Sequence, residues 1–105
     1  MENQEHIIFQ LILHGGNGRS SAMEAIAAAK QADFSTAREK LQEAADAIHE
    51  AHKVQTSLIQ AEAREEKTTV SLLMVHAQDH VMNAITVKDI ATEFVNLYEM
   101  FHLEK

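Results

Sequence analysis

Apolar residues recur along this chain at helical spacing, in segments separated by short polar links. The first segment covers about Glu2 to Ala32. Ile8, Leu11 and Ile12 set a stripe, and Met23, Ile26 and Ala29 resume it. Between the two halves stands Gly15-Gly16-Asn17-Gly18. Glycine lowers helix stability by roughly 1 kcal/mol against alanine, so a kink or short break is expected there.

The second segment starts near Ser35 or Thr36. Thr36 followed by Glu39 fits a capping box, in which each side chain satisfies the other residue's free backbone N–H. Its apolar positions are Ala37, Leu41, Ala44, Ile48, Ala51 and Leu58. The third segment follows the polar run Glu62 to Lys67. It begins near Thr68 or Thr69, with Thr68 as the expected N-cap, and continues to about His102. The first link, Asp33-Phe34, is short, and so is the stretch before the third segment. Short links make neighbouring helices antiparallel, so the expected fold is all-α, an up-down-up three-helix bundle forming one domain over residues 1–105.

The third segment breaks the usual pattern of one apolar stripe and one polar face. From Val70 to Val87 it is apolar nearly all round. One stripe holds Leu73, Ala77, Val81 and Ala84, and another, rotated away, holds Leu72, Val75, Met82 and Ile85. The first stripe can face the other helices. The second needs a partner, and a further copy of the same chain is the economical one.

Composition narrows the function. The chain has 105 residues, no proline, no cysteine and a formal charge of −7 with histidines neutral. An acidic chain without a basic cluster is a poor match for a nucleic-acid backbone. Without cysteine there is no disulfide framework, thiolate zinc site or nucleophilic thiol. No signal-peptide layout or membrane-length apolar run is visible, so the expected compartment is the cytoplasm.

Candidate chemistry lies inside the apolar third segment, at Val75-His76-Ala77-Gln78-Asp79-His80-Val81-Met82. Asp79 falls on the second stripe. A carboxylate buried there needs compensation, and symmetric copies of it would repel unless a proton, water or a divalent cation intervened. His76 and His80 share one helix face. Their spacing is compatible with packed interface histidines, with a zinc pair lacking a third ligand, or with nucleophilic chemistry at an imidazole steadied by Gln78 and His80. Spacing alone leaves all three open. His49 and His52 on the second segment read as structural, and Arg19 as solvated. The glycine-rich run lacks the lysine-serine/threonine ending of a phosphate-cradling loop and does not follow a strand.

The stretch Val70-Ser71-Leu72-Leu73-Met74-Val75-His76-Ala77-Gln78-Asp79-His80-Val81-Met82 resembles the active-site signature of phosphotransferase-system (PTS) enzyme IIA proteins of the lactose and chitobiose/cellobiose type. Gly18-Arg19-Ser20, Asp33-Phe34, Glu50-Ala51-His52 and Gln55-Thr56 are similar to that family as well. The His-Ala-Gln-Asp-His wording is closer to the chitobiose/cellobiose branch, since the lactose branch more often has glycine where Ala77 stands.

The resemblance implies a homotrimer of three-helix bundles. It implies that His76 accepts a phosphoryl group from phosphorylated HPr and passes it to a cysteine of the cognate IIB protein. IIB then phosphorylates a disaccharide entering through the membrane component IIC, and this chain does not touch the sugar. Gln78 and His80 would be active-site neighbours. Asp79 would lie near the trimer axis, associated with a divalent cation, Mg2+. The competing reading is a non-enzymatic oligomeric helical adaptor whose histidines and Asp79 only bind metal or pack.

Overall fold

The computed structural model describes residues 4–104. It holds three helices: α1 (Gln4–Lys30), α2 (Phe34–Ala63) and α3 (Leu72–Leu103). Glu2, the expected start of α1, lies outside the described residues. The bundle measures 57 × 20 × 19 Å, its long axis somewhat longer than α3 alone, which spans about 48 Å at 1.5 Å per residue.

Cross-helix contacts fix the direction of each element. Gln4 donates from Nε2 to the Thr69 carbonyl at 2.8 Å, and Gly15 lies against His80, so α1 and α3 run parallel. Phe34 meets the His102 ring at 5.5 Å, while Gln55 bonds Gln78, so α2 runs antiparallel to α3. This is the expected up-down-up order.

The glycine-rich run does not break α1, contrary to expectation. The buried stripe of α1 is Ile8, Leu11, Gly15, Gly18, Ala22, Ala25 and Ala29, an unbroken alternation of three- and four-residue steps. Gly15 and Gly18 are seam positions where neighbouring helices come close. A Cβ on Gly15 would lie 3.2 Å from the His80 carbonyl carbon, and one on Gly18 would lie 2.9 Å from the Ile48 side chain. Tertiary contact outweighs the weak helix propensity of glycine here. The same seam corrects Met23, which is exposed, with Ala22 and Ala25 buried in its place.

In α2 the buried positions are Ala37, Leu41, Ala44 and Ala51, with Ile48, Val54 and Leu58 half-buried. In α3 they are Met74, Ala77, Val81, Ala84, Ala91 and Val95. Leu73, expected in this stripe, is 53% exposed and Met74 takes its place. Alanine seams let the helices approach closely, and Leu11, Val81 and Val95 supply the bulk.

Both expected N-caps move. Asp33 caps α2, its Oδ1 accepting from the Thr36 N–H at 3.2 Å, so Thr36 belongs to the first turn rather than to a capping box. Ser71 caps α3, its Oγ accepting from the Met74 N–H at 3.1 Å. Residues 66–71 are not helical, which removes Thr68 from the cap. The C-terminal ends of α1 and α2 close alike. The Asp33 N–H reaches the Ala28 carbonyl and the Ala32 N–H the Ala29 carbonyl. The Glu66 and Glu65 N–H groups do the same to Ala61 and Glu62. The closing residues, Ala32 (φ 60°) and Glu65 (φ 67°), are left-handed, where glycine is the usual occupant.

Lys40 ties α2 to α1, 3.2 Å from Glu24 and 3.3 Å from Glu43. The hydrogen bonds it donates to the carboxylates of Glu24, then Glu43, raise its pKa above the ordinary 10.5.

The second apolar stripe of α3 is open in the single chain. Leu72, Val75 and Met82 are exposed, while Ile85 packs partly into the core. Phe94, Leu97 and Phe101 continue the exposed apolar surface along α3, and Phe9, Leu13 and Met23 do so on α1.

Candidate functional site

The first half of α3 carries the site. Ser71 starts the helix just before the chemistry-bearing residues, and the burial of Met74, Ala77 and Val81 fixes its rotation. With that rotation set, every polar side chain of the segment is assigned a direction.

His76 is exposed and His80 half-buried. Their rings meet edge to face, centroids 4.7 Å apart and planes at 88°. The exposed side of His76 is open to an approaching group, while the contact with His80 limits the ring's freedom. The backbone under His80 is held close to α1 through Gly15.

Asp79 is exposed beside Val75 and Met82, on the side of α3 turned away from the core. Among the described residues it makes no hydrogen bond or ion pair. No three His, Asp or Glu side chains converge as a metal site among the described residues. One chain therefore offers a single carboxylate here, and an axial cation would need the same group from several copies.

Gln78 is not beside His76 in the same chain. Two residues apart on a helix means about 160° apart around its axis. Gln78 is half-buried on the flank facing α2, where Gln55 Nε2 donates to its Oε1 at 2.7 Å. Its own Nε2 lies 3.9 Å from the Met74 sulfur. The structure thus gathers His76 and His80 on the α1 flank, Gln78 on the α2 flank, and Asp79 between them on the outer side.

His49 and His52 are exposed and line a shallow groove with Asp89 and Lys88, apart from this cluster. Arg19 is exposed. Gln55 and Gly15 are neighbours of the site that the sequence did not single out for a role. The available signal was their place in the seams: Gln55 interrupts the otherwise apolar row of Ala51 and Leu58, and Gly15 continues the row of Leu11.

Residues 6–99 match the family described as PTS system, lactose/cellobiose-specific IIA subunit. The chain is 67% identical over 98 residues to the lichenan-specific phosphotransferase enzyme IIA component of Bacillus subtilis, covering 93% of this chain and 89% of that one. It is 42% identical to the N,N'-diacetylchitobiose-specific EIIA component of Escherichia coli K12, covering 93% and 84%. Its fold superposes on the crystal structure of the PTS cellobiose-specific enzyme IIA from Bacillus anthracis with a TM-score of 0.96, at 54% identity, covering 100% and 96%. It also superposes on the chitobiose IIA of Escherichia coli, solved in complex with HPr, with a TM-score of 0.83, at 39% identity, covering 97% and 99%. With three helices in the expected order and the histidine pair on an open face of the third, the chain belongs to the lactose/cellobiose-specific IIA family of the phosphotransferase system.

Proposed function

We propose that this chain is a phosphocarrier in the cytoplasm. His76 takes a phosphoryl group from phospho-HPr and hands it to a cysteine of the cognate IIB protein during uptake of a disaccharide of the cellobiose or chitobiose type. IIC takes part only indirectly, and the chain does not bind the sugar. The observation that carries this reading is the exposed His76 imidazole, edge to face with His80 at 4.7 Å. A donor and an acceptor protein must each reach that nitrogen, and a sealed imidazole could serve neither. The HPr complex of the chitobiose relative supports the donor.

In the first step a ring nitrogen of neutral His76 attacks phosphorus. The bond from phosphorus to the donor atom breaks, and its electron pair stays with the donor. In the second step the thiolate of the IIB cysteine attacks phosphorus, and the P–N bond of His76 returns its pair to the ring. Both steps depend on positioning and on donors for the phosphoryl oxygens more than on covalent assistance. His80 serves that end from the same face, and Gln78 as a second donor.

The reading includes a homotrimer. The exposed row Leu72, Val75, Asp79 and Met82 needs cover, and a threefold arrangement would bring Asp79 to the axis. Around such an axis the α1 flank of one copy faces the α2 flank of the next. His76 of one chain would then meet Gln78 of its neighbour, which accounts for their separation in the single chain. Asp79 would hold Mg2+ with its symmetry mates, lowering the repulsion among carboxylates.

Incubation with phosphoenolpyruvate, enzyme I and HPr tests the carrier. One acid-labile phosphoryl group per chain is expected, and none in His76→Ala. Persistent labelling of that variant overturns the assignment. No labelling of the native chain would favour the adaptor reading.

A further inference from the structure

The inward row of α2 runs Ala37, Leu41, Ala44, Ile48 and Ala51 to Leu58, with Ile48 and Leu58 half-buried. The next seam position after Ala51 is Gln55, and it is half-buried. A polar side chain in an apolar row needs a partner, and this one has two. Gln55 Nε2 donates to Gln78 Oε1 at 2.7 Å, and the same nitrogen lies 3.9 Å from the Met82 sulfur.

A glutamine amide presents an oxygen at one side and an NH2 at the other. A phosphoryl group offers only acceptors, so Gln78 can steady it only through nitrogen. The alternative orientation would turn a carbonyl oxygen toward an anion. A donor on Gln78 Oε1 selects between the two by holding the oxygen toward α2. Among the described residues the Gln78 nitrogen then has only the Met74 sulfur, at 3.9 Å, a weak acceptor that an anionic oxygen readily displaces.

We propose that Gln55 is a positioning residue for phosphoryl transfer: its amide N–H pins the Gln78 carbonyl oxygen against α2, so that Gln78 presents its NH2 to the phosphoryl group on His76 of the neighbouring copy. Gln55 does not touch the reacting atoms and acts through Gln78 alone. The inference rests on the phosphocarrier reading and on its threefold assembly. A purely structural role would make the Gln55–Gln78 pair a device that sets helix register, with consequences for stability and none for the transfer step.

Gln55→Met, Gln78→Met and the double variant separate these roles. Methionine keeps the length, removes the N–H donor and replaces the carbonyl with a weak sulfur acceptor. Single-turnover phosphorylation by phospho-HPr is followed over a range of HPr concentrations, with thermal unfolding measured alongside. Gln55→Met is expected to slow the saturated transfer rate about tenfold, with the half-saturating HPr concentration unchanged. In the Gln78→Met background, adding Gln55→Met should change the rate less than twofold, because the residue through which it acts is gone. A native rate in Gln55→Met overturns the proposal even if the protein is destabilised. Losses that multiply in the double variant overturn it too. A native chain that accepts no phosphoryl group overturns the carrier reading and this inference together, whereas native labelling with an unaffected Gln55→Met removes this inference alone.

Discussion

Gly15 of α1 lies directly against the backbone of His80: a Cβ on the glycine would come within 3.2 Å of the His80 carbonyl carbon and 3.2 Å of the Val81 nitrogen. The helix bearing the candidate site is therefore seated on a glycine of another helix, one turn beyond His76. The contact atoms are main chain, which cannot rotate aside as a side chain can. Gly15→Ala is expected to push α3 outward by a few tenths of an ångström and to lower stability by about 1–2 kcal/mol. Gly16, with nothing within 4 Å of its virtual Cβ, should behave oppositely. Gly16→Ala is expected to add about 0.5–1 kcal/mol. Urea unfolding of the two variants checks the opposite signs.

Ala32 closes α1 at a φ of 60°. A side chain in the left-handed region costs about 1–2 kcal/mol, and the larger unfolded-state entropy of glycine offsets part of it. Ala32→Gly should raise stability by about 0.5–1 kcal/mol, read as a higher unfolding temperature at unchanged helix content.

Ser71 is the N-cap of α3. Ser71→Ala removes the acceptor for the Met74 N–H and is expected to cost about 1 kcal/mol. Amide hydrogen exchange should rise in the first turn of α3 and stay unchanged around Ala91 and Val95.

Asp79→Leu tests the proposed axial position of this carboxylate. If the carboxylates repel and the cation adds little, leucine on this apolar stripe preserves assembly and strengthens it. Light scattering should then give the same mass as the native chain, with greater resistance to dilution. Dissociation of the variant would show that the proposed cation is needed to hold the copies together.

The helix number and order were legible in the sequence because apolar spacing is a local property. Ile8, Leu11, Leu41, Ala77 and Val81 announced their faces, and the structure buries them. The caps were read less well. Thr36 and Thr68 have suitable side chains, but Asp33 and Ser71 hold the caps because the turns place them where the first free N–H groups point. Propensity likewise misread Gly15 to Gly18. Local rules count the glycine penalty and are blind to the neighbouring helix that rewards the missing side chain.

The sequence by itself determined a three-helix chain with a His-Ala-Gln-Asp-His segment on its third helix, because helical periodicity and residue chemistry are both written in linear order. Only the tertiary structure decided that Met74 rather than Leu73 turns inward and that Gln78 faces Gln55. The rotation of α3 about its own axis depends on which side chains fit the seams of α1 and α2, and that fit depends on residues far apart in the chain.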